Sequence, residues 1–139
     1  MDARLTLVTL GVDDFPRALK FYRDGLGWKP WKGSAGDWAL FPLAGGIGLA
    51  IWPRRLLSKD AGMKHCSGYG GVTLAHNVAK KGDVDRLLAR AVKAGGKLRK
   101  AALKKDWGGY SGYFTDPDGH PWEIAWNPQL TPGGRLRLR

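Results

Sequence analysis

One carboxylate interrupts an otherwise apolar segment near the end of the sequence. In "WEIAW" (Trp122–Trp126), Glu123 is framed by tryptophan, isoleucine and alanine. A charged side chain is costly in such surroundings unless another group satisfies it. Glu123 is therefore a candidate metal ligand, general base or anchor for a polar ligand. The alternative is a structural glutamate that pairs with a basic side chain at the edge of a sheet.

Other residues could share a site with this carboxylate. His76 is a candidate acid/base partner, although a hydrogen-bonded structural histidine is the plainer interpretation. Two threonines and three aromatic residues are candidates for lining an apolar cleft, although aromatic residues more often belong to a core. These five candidate ligand-binding residues are Thr9, Trp38, Thr73, Trp107 and Tyr113.

The elements that must position these residues occur twice in the sequence. "VTLGV" (Val8–Val12) recurs as "VTLAH" (Val72–His76). Each copy precedes a segment with apolar residues at i, i+4 and i+7, which predicts a helix: Phe15–Tyr22 in the first half and Val84–Ala91 in the second. "GLAIW" (Gly48–Trp52) is similar to "WEIAW", so strand, helix and closing strand follow one another in both halves.

Each half has room for two more strands between its helix and its closing strand. We predict them at Lys29–Lys32 and Trp38–Phe41, and at Lys97–Ala101 and Tyr110–Thr115. "DPDG" (Asp116–Gly119) predicts a tight turn, because proline presets φ and glycine accepts positive φ. The fold class is thus α+β, with two βαβββ modules in one domain of 1–139. Module 1 is at about 4–52 and module 2 at about 71–128. Between them is a linker at 53–70 that has room for a short helix or a lid, and a basic tail follows at 129–139.

Alternation along the strands predicts which side chains share a face. Val8, Leu10 and Val12 are expected beneath the first helix, and Thr9 on the other face. By the repeat, Thr73 faces the same way as Thr9, while His76 takes the helix side. In the last strand, Trp122, Ile124 and Trp126 are expected beneath the helices, with Glu123 and Ala125 on the opposite, concave face.

Composition restricts the class of protein. The chain of 139 residues has a formal net charge of +11, yet its basic residues are scattered and accompany no nucleic-acid motif, so we do not expect nucleic acid as the partner. No apolar run is long enough to span a membrane. The start lacks a signal-peptide pattern, and one cysteine cannot form an internal disulfide, so a cytoplasmic protein is expected.

Two longer segments resemble the vicinal oxygen chelate superfamily, which includes glyoxalase I, bleomycin-resistance proteins and extradiol dioxygenases. They are "LVTLGVDDFPRALKFYRDGLGW" (Leu7–Trp28) and "GYFTDPDGHPWEIAW" (Gly112–Trp126). The resemblance implies paired βαβββ modules, a curved mixed sheet around a ligand cleft, and a homodimer. Metal-dependent members place four ligands on the concave face.

The positions that this resemblance assigns to metal ligands are mostly occupied by residues without donor atoms. They fall at Leu7, Leu49, Gly71 and Glu123, and only Glu123 has a side chain that can bind a metal. A catalytic zinc or iron site needs about three protein ligands. We therefore expect no divalent metal and no other cofactor.

Three functions remain open. The first is the binding of a small, partly aromatic molecule, anionic or neutral because the protein is basic. The second is a lyase or isomerase of the glyoxalase type, with Glu123 as general base and His76 as its partner. The third, association with nucleic acid, rests on charge alone.

Overall fold

The computed structural model describes residues 5–64, 68–70 and 72–128. The chain forms two compact units, Met1–Gly68 and Tyr69–Arg139, and the boundary falls inside the segment predicted to link two modules. The basic tail at 129–139 lies outside the described residues, as does Gly71. No helix in the described ranges is long and apolar enough to cross a membrane.

The first unit is a three-stranded sheet with helices. Its strand order is β1-β3-β2, with β3 parallel to β1 and antiparallel to β2. The elements are β1 (Leu7–Val12), α1 (Phe15–Lys20), a π-helical turn (Phe21–Gly25), β2 (Ala39–Pro42), β3 (Gly48–Pro53) and α2 (Arg54–Asp60).

Helix α1 begins where the sequence supplies a cap. The Asp14 carboxylate accepts a hydrogen bond from the Arg17 backbone N–H at 2.9 Å, and such a cap satisfies a donor that the first turn leaves unpaired. The following π-helical turn buries Phe21 and Tyr22 against the sheet. The Tyr22 ring lies 5.8 Å from that of Phe41 on β2, so this helical segment covers the face of the sheet that carries Phe41.

The second unit is a four-stranded sheet with one helix. Its strand order is β4-β7-β6-β5, with β4 parallel to β7 and the other pairs antiparallel, so β5 is a terminal strand. The elements are β4 (Leu74–Asn77), α3 (Asp83–Lys93), β5 (Lys97–Lys104), β6 (Tyr110–Thr115) and β7 (Pro121–Trp126). This is the predicted β-α-β-β-β order.

Helix α3 has the predicted buried stripe. Val84, Leu88 and Ala91 are at most 4% exposed, and they recur at the spacing that places side chains on one face of a helix. The helix ends at Lys93, and Gly95 follows its C-cap with a φ of 111°, which glycine adopts at little cost.

The predicted tight turn connects β6 to β7. The buried Asp116 carboxylate accepts from the backbone N–H groups of Asp118 and His120 at 3.0 and 2.9 Å. Gly119 has the expected positive φ, 88°. This turn fixes the hairpin that holds Glu123 opposite Tyr113.

One predicted strand is absent, and another begins later in the chain than predicted. Residues 29–32 form no strand, so the first unit has three strands instead of four. Pro30 has no backbone N–H to give to a ladder, and the segment approaches β2 through one backbone hydrogen bond, from Trp31 to Leu40 at 2.7 Å. Val72 and Thr73 precede β4 instead of belonging to it. Of the two possibilities for the linker, a short helix or a lid, the helix is present as α2.

Candidate ligand site on the second sheet

Glu123 lies in the middle of β7, between two neighbouring strands. It pairs with Ala75 on β4 and with Tyr113 on β6. Residues directly opposite each other on neighbouring strands point to the same face of a sheet. Glu123 and Tyr113 therefore share one face, and both are half-buried.

Helix α3 covers the other face of this sheet. A Cβ atom at Gly112 would lie 2.7 Å from Cδ1 of Leu88, so the helix closes on the sheet over Gly112. Gly112 pairs with Ile124, which is buried together with Trp122. This confirms that Trp122 and Ile124 lie beneath the helix and that Glu123 faces away from it.

The Tyr113 phenol and the Glu123 carboxylate act on each other electrostatically. Burial raises the pKa of Tyr113, and the negative charge of Glu123 and a hydrogen bond to its carboxylate raise this pKa further. Each effect disfavours the phenolate. Tyr113 therefore stays protonated at neutral pH, and its hydroxyl is a hydrogen-bond donor opposite the Glu123 carboxylate.

A lysine brings positive charge to this pair. The Lys105 ammonium lies 5.9 Å from the centre of the Tyr113 ring, which is within the range of a cation–π contact. Lys105 begins the turn from β5 to β6, where its backbone N–H donates to the Gly109 carbonyl at 2.9 Å. The turn thus places a cation beside the aromatic ring of Tyr113.

Residues that precede β4 complete the surroundings of Tyr113. The Tyr69 hydroxyl and the Thr73 hydroxyl are 3.2 Å apart, and Tyr69 is also near enough for its charge to raise the pKa of Tyr113. Thr73 lies immediately before β4, so its link to this site is its contact with Tyr69 and not a position in the strand. Both hydroxyl groups are exposed and available to a ligand.

Ser111 lies on the same face, one rung further along. It pairs with Ala125, two positions beyond Glu123, and it is two positions before Tyr113. The residue is fully buried, and its Oγ has no hydrogen-bond partner in the part of the chain that the structure describes. Sequence reasoning missed Ser111, although the alternation that selected Tyr113 also selects its neighbour two positions away.

Trp107 lies in the turn that carries Lys105. Its six-membered ring covers Gly109, since a Cβ at Gly109 would lie 1.7 Å from Cζ3 of the indole. Trp107 is still 45% exposed. Of the residues predicted to bind a ligand, the second unit therefore contains Thr73, Trp107, Tyr113 and Glu123.

The other two predicted residues belong to the first unit. Thr9 pairs with Ala50, which pairs with Leu40, so all three share a face of the first sheet. Trp38 is two positions before Leu40, is half-buried, and meets the Trp31 ring edge-on with 6.4 Å between centres. Their role in binding stays a prediction.

The register of the first sheet corrects one expected position. Leu49 was expected on the concave face, as the counterpart of Glu123. It pairs instead with Val8 and Phe41, is 2% exposed, and lies on the face that the helical segment covers. The similarity of "GLAIW" to "WEIAW" is thus out of phase, and a shift of one residue reverses the face of every side chain in a strand.

His76 does not share a face with Glu123. It pairs with Ile124, so it lies on the face of the sheet opposite Glu123, where it is partly exposed, and β4 has no bulge that would reverse it. Desolvation by the surrounding protein lowers the pKa of His76 and favours the neutral ring. A direct partnership of His76 and Glu123 in proton transfer is therefore not supported by the register.

The donor atoms near Glu123 do not fit a transition metal. Its rung contributes a phenol from Tyr113 and a methyl group from Ala75. Across the residues that the structure describes, no group of three or more His, Cys, Asp or Glu side chains could hold a metal ion. The arrangement is instead suited to a polar organic ligand: one acceptor, one cation, several hydroxyl groups and aromatic surface.

Comparisons with known proteins agree with this fold. The sequence model of the Glyoxalase/Bleomycin resistance protein/Dioxygenase superfamily matches residues 4–124. A glyoxalase-related enzyme from Fulvimarina pelagi is 35% identical, with a TM-score of 0.86 and 98% of each chain covered. No curated protein matches the sequence.

Two more distant structures share the fold. A glyoxalase/bleomycin resistance protein/dioxygenase family enzyme from Burkholderia phytofirmans PsJN is 22% identical, with a TM-score of 0.77, and the match covers 89% of this chain and 98% of that one. Lactoylglutathione lyase from Agrobacterium tumefaciens is 23% identical, with a TM-score of 0.68 and coverage of 91% and 96%. The family model and the 35% identical relative together establish that the chain belongs to the glyoxalase/bleomycin resistance protein/dioxygenase superfamily.

Proposed function

We propose that the protein binds a small, partly aromatic organic molecule without the help of a metal ion. The observation that carries this proposal is the Glu123–Tyr113 pair, half-buried on the face of the second sheet that α3 leaves uncovered. Glu123 accepts a hydrogen bond from a donor on the ligand, and aromatic side chains supply contact area. Thr73 and Trp107 are the further residues of this unit that we assign to the site.

Charge defines the class of ligand further. Lys105 faces the Tyr113 ring, and the whole chain has a net charge of +11. A cationic ligand would be repelled at long range, whereas an anion would be attracted. We therefore propose an aromatic molecule that carries an acidic group for Lys105 and a hydroxyl or amide donor for Glu123.

Matched small molecules test this proposal. The probes are para-hydroxyphenylacetate, phenylacetate without the donor, and tyramine with the opposite charge, followed by tryptophan fluorescence. The protein should bind para-hydroxyphenylacetate best and tyramine worst. In Glu123→Gln the preference for the hydroxyl should fall by about tenfold or more, which is the scale of a hydrogen bond to a charged group.

The control is Asp37→Asn, which removes one negative charge from an exposed residue of the first unit. It should bind all three probes as the unmodified protein does. Saturable binding that is equal in the unmodified protein and in Glu123→Gln would show that Glu123 does not anchor the ligand. Stoichiometric zinc, nickel or iron in the purified protein would contradict a metal-independent site.

An enzymatic role is the second candidate, because the 35% identical relative is a glyoxalase-related enzyme. Glu123 would then take a proton from a carbon next to a carbonyl group, with Tyr113 as the neighbouring hydrogen-bond donor. The test is deuterium exchange into the hemithioacetal of methylglyoxal and glutathione, observed by NMR with a chelator present. Exchange that Asp37→Asn retains and Glu123→Gln loses would establish catalysis, and background exchange in both variants would exclude it for this substrate.

A further inference from the structure

Ser111 is the one buried hydroxyl group on the Glu123 face that lacks a partner among the described residues. Its backbone groups belong to the ladder between β6 and β7, so only the side chain is unsatisfied. Buried polar groups in native proteins nearly always have a partner, and each exception calls for an explanation. A structural serine without a partner would be less favourable than alanine at the same place.

The position of Ser111 relates it to the proposed ligand site. Successive residues on one face of a strand are about 6.6 Å apart, so the Ser111 rung is the next one beyond Glu123 and Tyr113. At this rung Ser111 faces Ala125, and both side chains are small. Both side chains are also almost fully buried, so a ligand that rests against Glu123 and Tyr113 contacts this rung only when the groups that cover it move aside.

Lys105 brings a flexible side chain to the Tyr113 ring on this face. Lys104 pairs with Tyr110, so Lys105 lies beyond the start of β6, while its ammonium reaches the Tyr113 ring. Its side chain therefore extends from the turn towards the Tyr113 ring. A lysine stem is flexible and carries its charge at the end, and a ligand that attracts the ammonium can displace it.

We propose that the Ser111 hydroxyl is the inner polar contact of the ligand site, where it donates a hydrogen bond to a neutral carbonyl or hydroxyl oxygen of the bound molecule. This inference rests on the proposed function. A neutral acceptor is specified because an ionised group would lose its hydration at a residue that water does not reach. Ser111 thus selects for an oxygen at the end of the ligand that lies opposite the acidic group.

The experiment compares Ser111→Ala with Ser34→Ala. The Ser34 hydroxyl is satisfied, since its Oγ accepts from the Leu40 backbone N–H at 3.1 Å, and it lies in the first unit. Thermal unfolding should therefore show a lower midpoint for Ser34→Ala and an unchanged or higher midpoint for Ser111→Ala. A midpoint lowered as much in Ser111→Ala would show that its hydroxyl has a structural partner, and would overturn the inference.

Binding supplies the second measurement. The probes are para-acetylphenylacetate, which carries a neutral acceptor, and para-ethylphenylacetate, which has the same shape without it. The unmodified protein and Ser34→Ala should prefer the acetyl probe by about threefold to tenfold, which is the scale of one neutral hydrogen bond. Ser111→Ala should bind both probes equally.

The outcomes separate this inference from the function on which it rests. Saturable binding of both probes with the same preference in Ser111→Ala as in Ser34→Ala would overturn the role of Ser111 and leave the site around Glu123 standing. If neither probe nor para-hydroxyphenylacetate binds to any variant, the proposed function fails and the role of Ser111 fails with it.

Discussion

At the scale of single residues, the behaviour of the site depends on the Tyr113 phenol and the Glu123 carboxylate, which lie opposite each other on neighbouring strands. The sequence contains one glutamate, Glu123, among its 12 acidic residues. A glutamate reaches further from the backbone than an aspartate, and here it meets a phenol across a pair of strands. The pair is a donor–acceptor unit whose free acceptor positions remain available to a ligand.

The raised pKa of Tyr113 predicts a dependence of stability on alkaline pH. The folded protein holds the Tyr113 proton more tightly than the unfolded chain, in which tyrosine has a pKa of about 10. The stabilisation is complete below that pH and is lost as the pH rises through the higher pKa of the folded state. Tyr113→Phe should therefore lose less stability than the unmodified protein between neutral and strongly alkaline pH, as measured by urea unfolding.

The absorbance of ionised tyrosine measures the pKa of Tyr113 directly. Subtracting the alkaline titration of Tyr113→Phe from that of the unmodified protein isolates Tyr113. In Glu123→Gln the midpoint for Tyr113 should move down towards the ordinary tyrosine value, because the carboxylate charge is gone. Tyr110 is the internal control, since its raised pKa comes chiefly from a hydrogen bond to Asp85; a shift of Tyr110 in Glu123→Gln would mean that the variant has disturbed the sheet as a whole.

At the scale of elements, α3 approaches the second sheet closely, on the face opposite Glu123. A side chain at Gly112 would meet Leu88, and it would also lie 2.8 Å from two backbone atoms of β5, the Ala102 nitrogen and the Lys100 oxygen. Side chains can rotate, but backbone atoms in a sheet move only with their strands. Gly112 is therefore the contact at which helix, β5 and β6 meet.

Gly112→Ala should destabilise the protein by about 1–3 kcal/mol, the range for adding a methyl group to a filled core. The measurement is the free energy of unfolding in urea. Gly70→Ala is the matched control, because a Cβ at Gly70 meets no atom within 4 Å, and it should remain within about 0.5 kcal/mol of the unmodified protein. Equal stabilities for the two variants would show that α3 does not press on the sheet as described.

The elements also show what the sequence could predict. Periodicity identified the buried residues of α3 and the face of Glu123, because burial on one side leaves a regular pattern. It failed at Lys29–Lys32, where Pro30 prevents a regular ladder. It also failed at Leu49, because "GLAIW" is similar to "WEIAW" in sequence but its side chains point to the opposite faces of the sheet. Lys105 and Tyr69 gave no signal at all, since their positions follow from a turn and from a segment before β4 rather than from alternation within a strand.

At the scale of the whole molecule, the net charge of +11 sets the response to salt and to polyanions. The basic residues are expected to attract nucleic acid through charge alone, without recognising its base sequence. Such binding depends on the release of counterions. The family assignment adds no expectation of nucleic acid as a partner. We therefore expect nucleic acid to bind the protein weakly, and more weakly as the salt concentration rises.

Duplex DNA should therefore retain the protein at about 50 mM salt and release it by about 200 mM, with no preference among sequences. Fluorescence anisotropy of labelled duplexes over a salt series measures this, and a scrambled duplex of the same length is the control. Tight retention at the higher salt, or a preference for one duplex over its scrambled form, would favour the nucleic-acid function instead.

Strand β5 has a consequence for how copies of the protein meet each other in solution. It is terminal in its sheet, is almost entirely exposed, and is interrupted by two irregularities in its pairing. An edge strand can pair with a strand of another chain, and lysine side chains and irregular pairing on the edge strand are known means of preventing this. With Lys97, Arg99, Lys100 and Lys104 on β5, two such borders repel each other, and this protection weakens wherever salt or lysine acetylation neutralises the charge.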